Sequence, residues 1–101
     1  MPFVKVASLS DLPVDSVIEV TLGDNLYALC NDRGTIRALS GVCAHQGGPL
    51  GQGQIANGRL MCPWHAWEFD CRTGENCDDP GARVATFEVR LEGNEILLQV
   101  P

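Results

Sequence analysis

Hydrophobic and polar positions alternate in short runs along this chain, and turn-forming residues separate the runs. Phe3-Val4-Lys5-Val6-Ala7 alternates like a first strand, and Asp11-Leu12-Pro13 breaks the pattern. Val17 to Leu22 and Leu26 to Cys30 flank Gly23-Asp24-Asn25, a turn of hairpin length. Asp32-Arg33-Gly34 then turns the chain into Thr35 to Leu39, which predicts a meander. At the other end, Ala85 to Leu91 is predicted to pair across Glu92-Gly93-Asn94 with Glu95 to Val100. No apolar pattern in the N-terminal half holds helical period over about ten residues, so the predicted class is all-β. Alternating strands need a second layer over their apolar face, so the two ends of the chain are expected to join in one antiparallel sandwich or barrel-like base.

Between those ends the pattern dissolves. Ser40 to Gly74 carries Gly41, Gly47, Gly48, Gly51, Gly53, Gly58 and Gly74, so loops are expected, with short strands at Arg59 to Cys62 and Trp67 to Asp70. Gly74 to Ala82 reads as a polar, turn-rich return. The expected organisation is one domain over 1–101, its base formed by about 1–39 and 75–101, with 40–74 inserted as a smaller subdomain. A net charge of −6 argues against nucleic acid and toward docking on a basic surface. Neither an apolar run of membrane-spanning length nor a basic segment followed by an apolar signal core is present. No membrane partner is therefore expected, and the cytoplasm is the expected location.

The inserted stretch carries the chemistry. Cys43-Ala44-His45 and Cys62-Pro63-Trp64-His65 place four metal-seeking side chains in two short loops. A zinc finger groups cysteine with cysteine and histidine with histidine, whereas here each cysteine is paired with a histidine. A two-iron cluster explains that order, one iron taking Cys43 and Cys62 and the other His45 and His65. A structural zinc is the alternative, although one intervening residue is tight for two ligands of one tetrahedral metal.

Here the chain resembles the Rieske [2Fe-2S] family, whose Cys-x-His and Cys-x-x-His pairs it carries in full, and in particular the small soluble Rieske ferredoxins. Gln46-Gly47-Gly48-Pro49-Leu50, Ala66-Trp67-Glu68-Phe69-Asp70, Thr73-Gly74 and Pro80 extend the likeness. The resemblance implies a β base carrying a cluster-binding subdomain, one [2Fe-2S] cluster, and a proline loop around Pro80 that covers it. Gly47 and Gly48 suit a loop whose N–H groups point at cluster sulfides, or are ordinary turn glycines. Trp64 and Trp67 either shield the cluster or simply pack the loops. Respiratory relatives donate hydroxyls to the cluster where this chain has Trp67 and Phe69, and place a disulfide where it has Gly48 and Trp64. The expected potential therefore lies in the lower half of the roughly −150 to +300 mV of Rieske centres.

Function follows as expectation. The family implies a one-electron carrier, not a catalyst, taking electrons from a flavin-dependent NAD(P)H reductase and passing them to a terminal oxygenase, and a monomer. Alternatives are an accessory subunit of a larger reductase, such as a nitrite reductase, and a redox-sensing interaction module built on Cys71 and Cys77. Of the cysteines outside the ligand set, Cys30 reads as a buried strand residue. Cys71 and Cys77 read as free thiols in preference to a hairpin-spanning disulfide. Glu68, Glu75, Asp78 and Asp79 are expected to form an acidic rim around an apolar tip carrying the ligand histidines, or to be generic solvated surface.

Overall fold

Short turns set the register of this protein, seen in a computed structural model that describes residues 2–44, 47–64, 66–79 and 81–100. Ten strands form among the described residues: β1 (Phe3–Ser8), β2 (Val17–Leu22), β3 (Asn25–Asp32), β4 (Thr35–Ser40), β5 (Gln54–Ala56), β6 (Arg59–Met61), β7 (Glu68–Asp70), β8 (Thr86–Phe87), β9 (Val89–Glu92) and β10 (Glu95–Gln99). Leu22 faces Asn25 and Asp32 faces Thr35, so Gly23-Asp24 and Arg33-Gly34 are two-residue links. Arg33 and Gly34 both take positive φ, 52° and 100°, the backbone that matches the right-handed twist of a tight hairpin.

Three antiparallel sheets result, ordered β1-β10-β9, β2-β3-β4-β8 and β5-β6-β7. The expected all-β class and the closing hairpin are observed, with one correction. The single strand predicted over Ala85 to Leu91 is divided: β8 pairs with β4, whereas β9 pairs with β10 in a different sheet. Glu88 marks the crossing, its carbonyl accepting the Gln99 N–H, while Phe87 stays behind, edge-on to Tyr27 with ring centroids 5.0 Å apart. A strand that changes sheets keeps its alternation, so the pattern alone does not reveal the switch. β5 also escaped the pattern, being three residues long between Gly53 and Asn57-Gly58.

β3 is the central element because both of its faces are covered. Tyr27 and Leu29 point into a core shared with Leu12, Ala38, Ile96 and Leu98, which joins the two larger sheets. Ala28 and Cys30 point the other way, into a second core with Leu39, Leu50, Leu60 and Phe69. Leu60 and Phe69 stand opposite each other across β6 and β7, both fully buried, each burial contributing about 1.5–3 kcal/mol. The second core thus fastens the small sheet to the base. Among the described residues no helix is long and apolar enough to cross a membrane.

Candidate metal centre

Two loops meet above the second core, and hydrogen bonds close each at its stem. In the first, after β4, Gly41 donates its N–H to the Leu26 carbonyl at 2.8 Å, and a Cβ at Gly41 would stand 2.8 Å from that carbonyl carbon, so only glycine passes. Val42 bridges Pro49, and the Cys43 N–H donates to the Gly48 carbonyl at 2.9 Å. In the second, between β6 and β7, the Cys62 N–H donates to the Trp67 carbonyl at 2.7 Å. Both cysteines therefore sit where paired backbone ends and the loop begins.

The two cysteines come together. Cys43 is 3% exposed and Cys62 0%, and their thiols are hydrogen-bonded to each other across the loops. Burial pushes the Cys62 thiol up; the Trp64 N–H that donates to it acts the other way, and the neighbouring Cys43 pushes it up further. Gly48 makes the approach possible: a Cβ there would lie 2.9 Å from Cys62 Sγ and 3.0 Å from the Trp64 ring. Gly47, at φ 73°, donates its N–H to the Cys43 carbonyl at 3.0 Å, so that donor closes the turn. The tryptophans divide: Trp64 is 48% exposed against Gly48, and Trp67 packs on the second core with its ring centroid 6.4 Å from Phe69. His45, Gln46, His65 and Pro80 lie outside the described residues.

The other cysteines are placed differently from the hairpin-spanning disulfide that was the alternative. Cys71 is buried and its thiol hydrogen-bonds Cys30, an interaction that, with burial, holds Cys30 far above its usual range. Cys77 is exposed and unbridged, and partial desolvation, together with the carboxylates of Glu68, Asp70 and Asp78, raises its thiol. Asn76, which no sequence motif singles out, organises the return loop: its Oδ1 accepts the N–H groups of Asp78 and Asp79 at 2.9 and 2.8 Å. An Asn side chain that accepts backbone N–H groups two and three residues on makes a turn of this kind. Asp78 and Asp79 are exposed, whereas Glu68 is engaged by Arg59 at 3.3 Å.

Comparison with known proteins agrees with this geometry. A family model described as the Rieske [2Fe-2S] domain matches residues 2–88. Apoptosis-inducing factor 3 of Mus musculus is 35% identical over 95 residues, which are 93% of this chain; the chain spans 16% of the length of that protein and of its human counterpart. The ferredoxin component of the naphthalene 1,2-dioxygenase/salicylate 5-hydroxylase systems of Ralstonia sp. is 26% identical over 99 residues, 97% of this chain and 95% of that one. Among solved structures, the ferredoxin of carbazole 1,9a-dioxygenase from Nocardioides aromaticivorans IC177 has a TM-score of 0.85 at 25% identity, covering 97% of both chains.

Proposed function

The chain belongs to the Rieske [2Fe-2S] domain family, and from that premise we propose that it is a one-electron carrier between an NAD(P)H-dependent flavin reductase and a terminal oxygenase. Membership implies one [2Fe-2S] cluster. The residues present fit such a group: two buried thiols from separate loops stand side by side, and Gly48 leaves no Cβ against Cys62 Sγ. In this reading Cys43 and Cys62 hold one iron, and His45 and His65 the other. When bound, the cluster supplies a site for one electron at a potential that histidine ligation raises above that of four-cysteine centres.

What this chain's own residues contribute is shielding and access. The sulfur pair is withdrawn from water, while Val42, 46% exposed, and Trp64, 48% exposed, flank the two cysteines on the outside. That juxtaposition of buried donors and an exposed apolar tip carries the reading, because an electron carrier needs a cofactor kept dry and a short exit at a face that a partner can cover. Ferredoxin components of dioxygenase systems are matched over nearly their whole length at 25–26% identity, whereas a solved structure described as a nitrite reductase small subunit, matched over its whole length, is 17% identical and shares the fold alone, which supports the carrier over an accessory subunit. The same reading takes the chain as one monomeric cytoplasmic unit, with a base over about 1–39 and 75–101 and a cluster-binding part over about 40–74, Gln46, Gly47, Gly48, Trp64, Trp67 and Pro80 surrounding the group.

Anaerobic mixing of cluster-loaded protein with flavin reductases and NADH, followed by addition of a terminal oxygenase, tests this. Bleaching of the visible bands and their return on mixing with the oxygenase are expected. A cluster that dithionite reduces but no reductase does would overturn the carrier reading in favour of an accessory subunit.

A further inference from the structure

Away from the cysteines, a second site is built from arginine. The chain has only seven Lys and Arg side chains against thirteen Asp and Glu, yet four of the seven line one pocket of about 380 Å³. Arg33 and Arg37 come from the β3–β4 hairpin, Arg59 from the start of β6 and Arg72 from the turn after β7, so the base sheet and the small sheet each supply two. Asp32 and Asp70 are the carboxylates in the lining.

Their placement is organised. Asp32 is 6% exposed and takes both neighbouring arginines by the same edge, Arg33 Nε donating to Oδ1 at 2.9 Å and Arg37 Nε to Oδ2 at 3.2 Å. Used in this way, each guanidinium keeps its terminal nitrogens for another acceptor, the donors that grip phosphate oxygens two at a time. Arg33 reaches across to the β5–β6 turn, where Asn57 and Gly58 take positive φ of 54° and 76°, and its Nη2 lies 2.8 Å from where a Gly58 Cβ would stand. Any larger residue at Gly58 would push that guanidinium away. Asp70 is occupied locally, its Oδ1 accepting the N–H groups of Arg72 and Thr73 at 2.8 and 3.2 Å. Among the described residues no side chain is hydrogen-bonded or ion-paired to the Arg72 guanidinium. Glu68 is paired with Arg59, and Asp15 Oδ1 accepts the Arg33 backbone N–H.

We infer that this pocket binds a phosphate-bearing anion of two or more charges, held between the Arg33–Arg37 wall and the Arg59–Arg72 wall. A pocket of this volume exceeds one phosphate group and suits a diphosphate, free or as part of a nucleotide. The site is separate from the metal centre: β6 runs from Arg59 at the pocket toward Cys62 at the ligand loop, about 10 Å away at strand rise.

Isothermal titration of the cluster-loaded protein with pyrophosphate, and separately with adenosine diphosphate, tests this at ionic strength held constant with sodium chloride. Saturable one-to-one binding with a Kd below about 1 mM is expected. The double variant Arg33→Met, Arg72→Met should weaken it at least about tenfold with the visible spectrum unchanged. Both positions are largely solvent-facing, and Arg37 still satisfies Asp32, so the variant is expected to fold; Arg72→Met alone serves as a milder check. Equal affinity for the two probes assigns the site to phosphate groups alone, and tighter adenosine diphosphate assigns it to a nucleotide. Absence of saturable binding up to about 10 mM, or an unchanged Kd in the double variant, overturns the proposal.

Discussion

Gly48 shows how closely a single residue constrains the metal centre. A methyl group added there would press on Cys62 Sγ at 2.9 Å and on the Trp64 ring at 3.0 Å, and the sulfur belongs to a buried loop stem that yields little. Gly48→Ala is therefore expected to cost about 1–3 kcal/mol of stability and to lower the iron bound per chain, read by thermal unfolding and iron analysis. Wild-type values of both would show that the loops part more easily than this contact implies. Cysteine replacement separates the two thiol pairs: Cys43→Ala or Cys62→Ala should abolish the visible bands, and His45→Ala or His65→Ala should do the same if the proposed ligand set is right. Cys30→Ala, which removes a thiol hydrogen-bonded to Cys71 within the second core, should keep the bands and cost about 1–2 kcal/mol. Asp32 offers a pH test. Burial alone would raise its carboxyl, but hydrogen bonds from Arg33 and Arg37, and their charges, outweigh that and hold it below 3.8. A lowered folded value stabilises the native state above the ordinary carboxylate range, and that share disappears as pH falls through the folded value. Asp32→Asn should thus cost about 1–3 kcal/mol at neutral pH, and the gap to wild type should close as denaturation is measured at successive pH values below 3.8.

At the scale of elements, the division of the penultimate strand is the feature most open to mutation. β8 joins the base sheet through only two residue pairs with β4, so the Phe87 ring against Tyr27 carries much of its attachment. Phe87→Ala is expected to destabilise by about 2 kcal/mol and to speed amide exchange at Ala38 and Leu39, the residues β8 faces, before exchange in β2 changes. Uniform loss of protection across the sheet would contradict a locally held edge. The hairpins β2–β3, β3–β4 and β9–β10 were legible in the sequence because alternation and a two-residue turn specify both faces and the register. The switch at Glu88 was not, since alternation continues through it, and neither was β5, whose pairing with β6 depends on the Asn57-Gly58 turn more than on its own three residues. The metal centre was legible to a similar depth. Cysteine and histidine spacing marks candidate donors, and the structure brings Cys43 and Cys62 together; the reasons for Gly48 and for the partnership of Cys30 with Cys71 lie in segments distant along the chain, which no local pattern encodes.

Charge is distributed unevenly over the whole molecule. The turn at Asn57-Gly58 and the loop from Cys62 to Trp67 lie at opposite ends of β6, so the arginine pocket and the cysteine pair are at opposite ends of the small sheet. The return loop departs from the cysteine end: the Cys77 N–H donates to the carbonyl of Glu68, one residue beyond the Trp67 that closes the ligand loop. Asp78 and Asp79 are exposed there with their backbone fixed by Asn76, while Glu68 is neutralised by Arg59. Of the four acidic residues expected there, Asp78 and Asp79 are thus the exposed pair, Glu75 is half-buried and Glu68 is ion-paired. With four of its six arginines lining the pocket at the far end of the small sheet and Asp78 and Asp79 exposed on the return loop, a chain of net charge −6 is expected to turn its metal centre toward a basic partner, and such steering raises the encounter rate more than it strengthens the complex. Reduction by a flavin reductase under second-order conditions should slow as ionic strength rises through about 0.1 M, where the screening length is about 10 Å. Asp78→Lys with Asp79→Lys should lower the rate at low salt by about tenfold and leave the high-salt rate and the visible spectrum nearly unchanged, because exposed charges act over distance and not on the buried sulfurs. Stopped-flow traces of both proteins across the salt series decide it: parallel salt dependence in wild type and variant would move the steering charge elsewhere on the surface and leave the apolar pair Val42 and Trp64 to guide docking by contact alone.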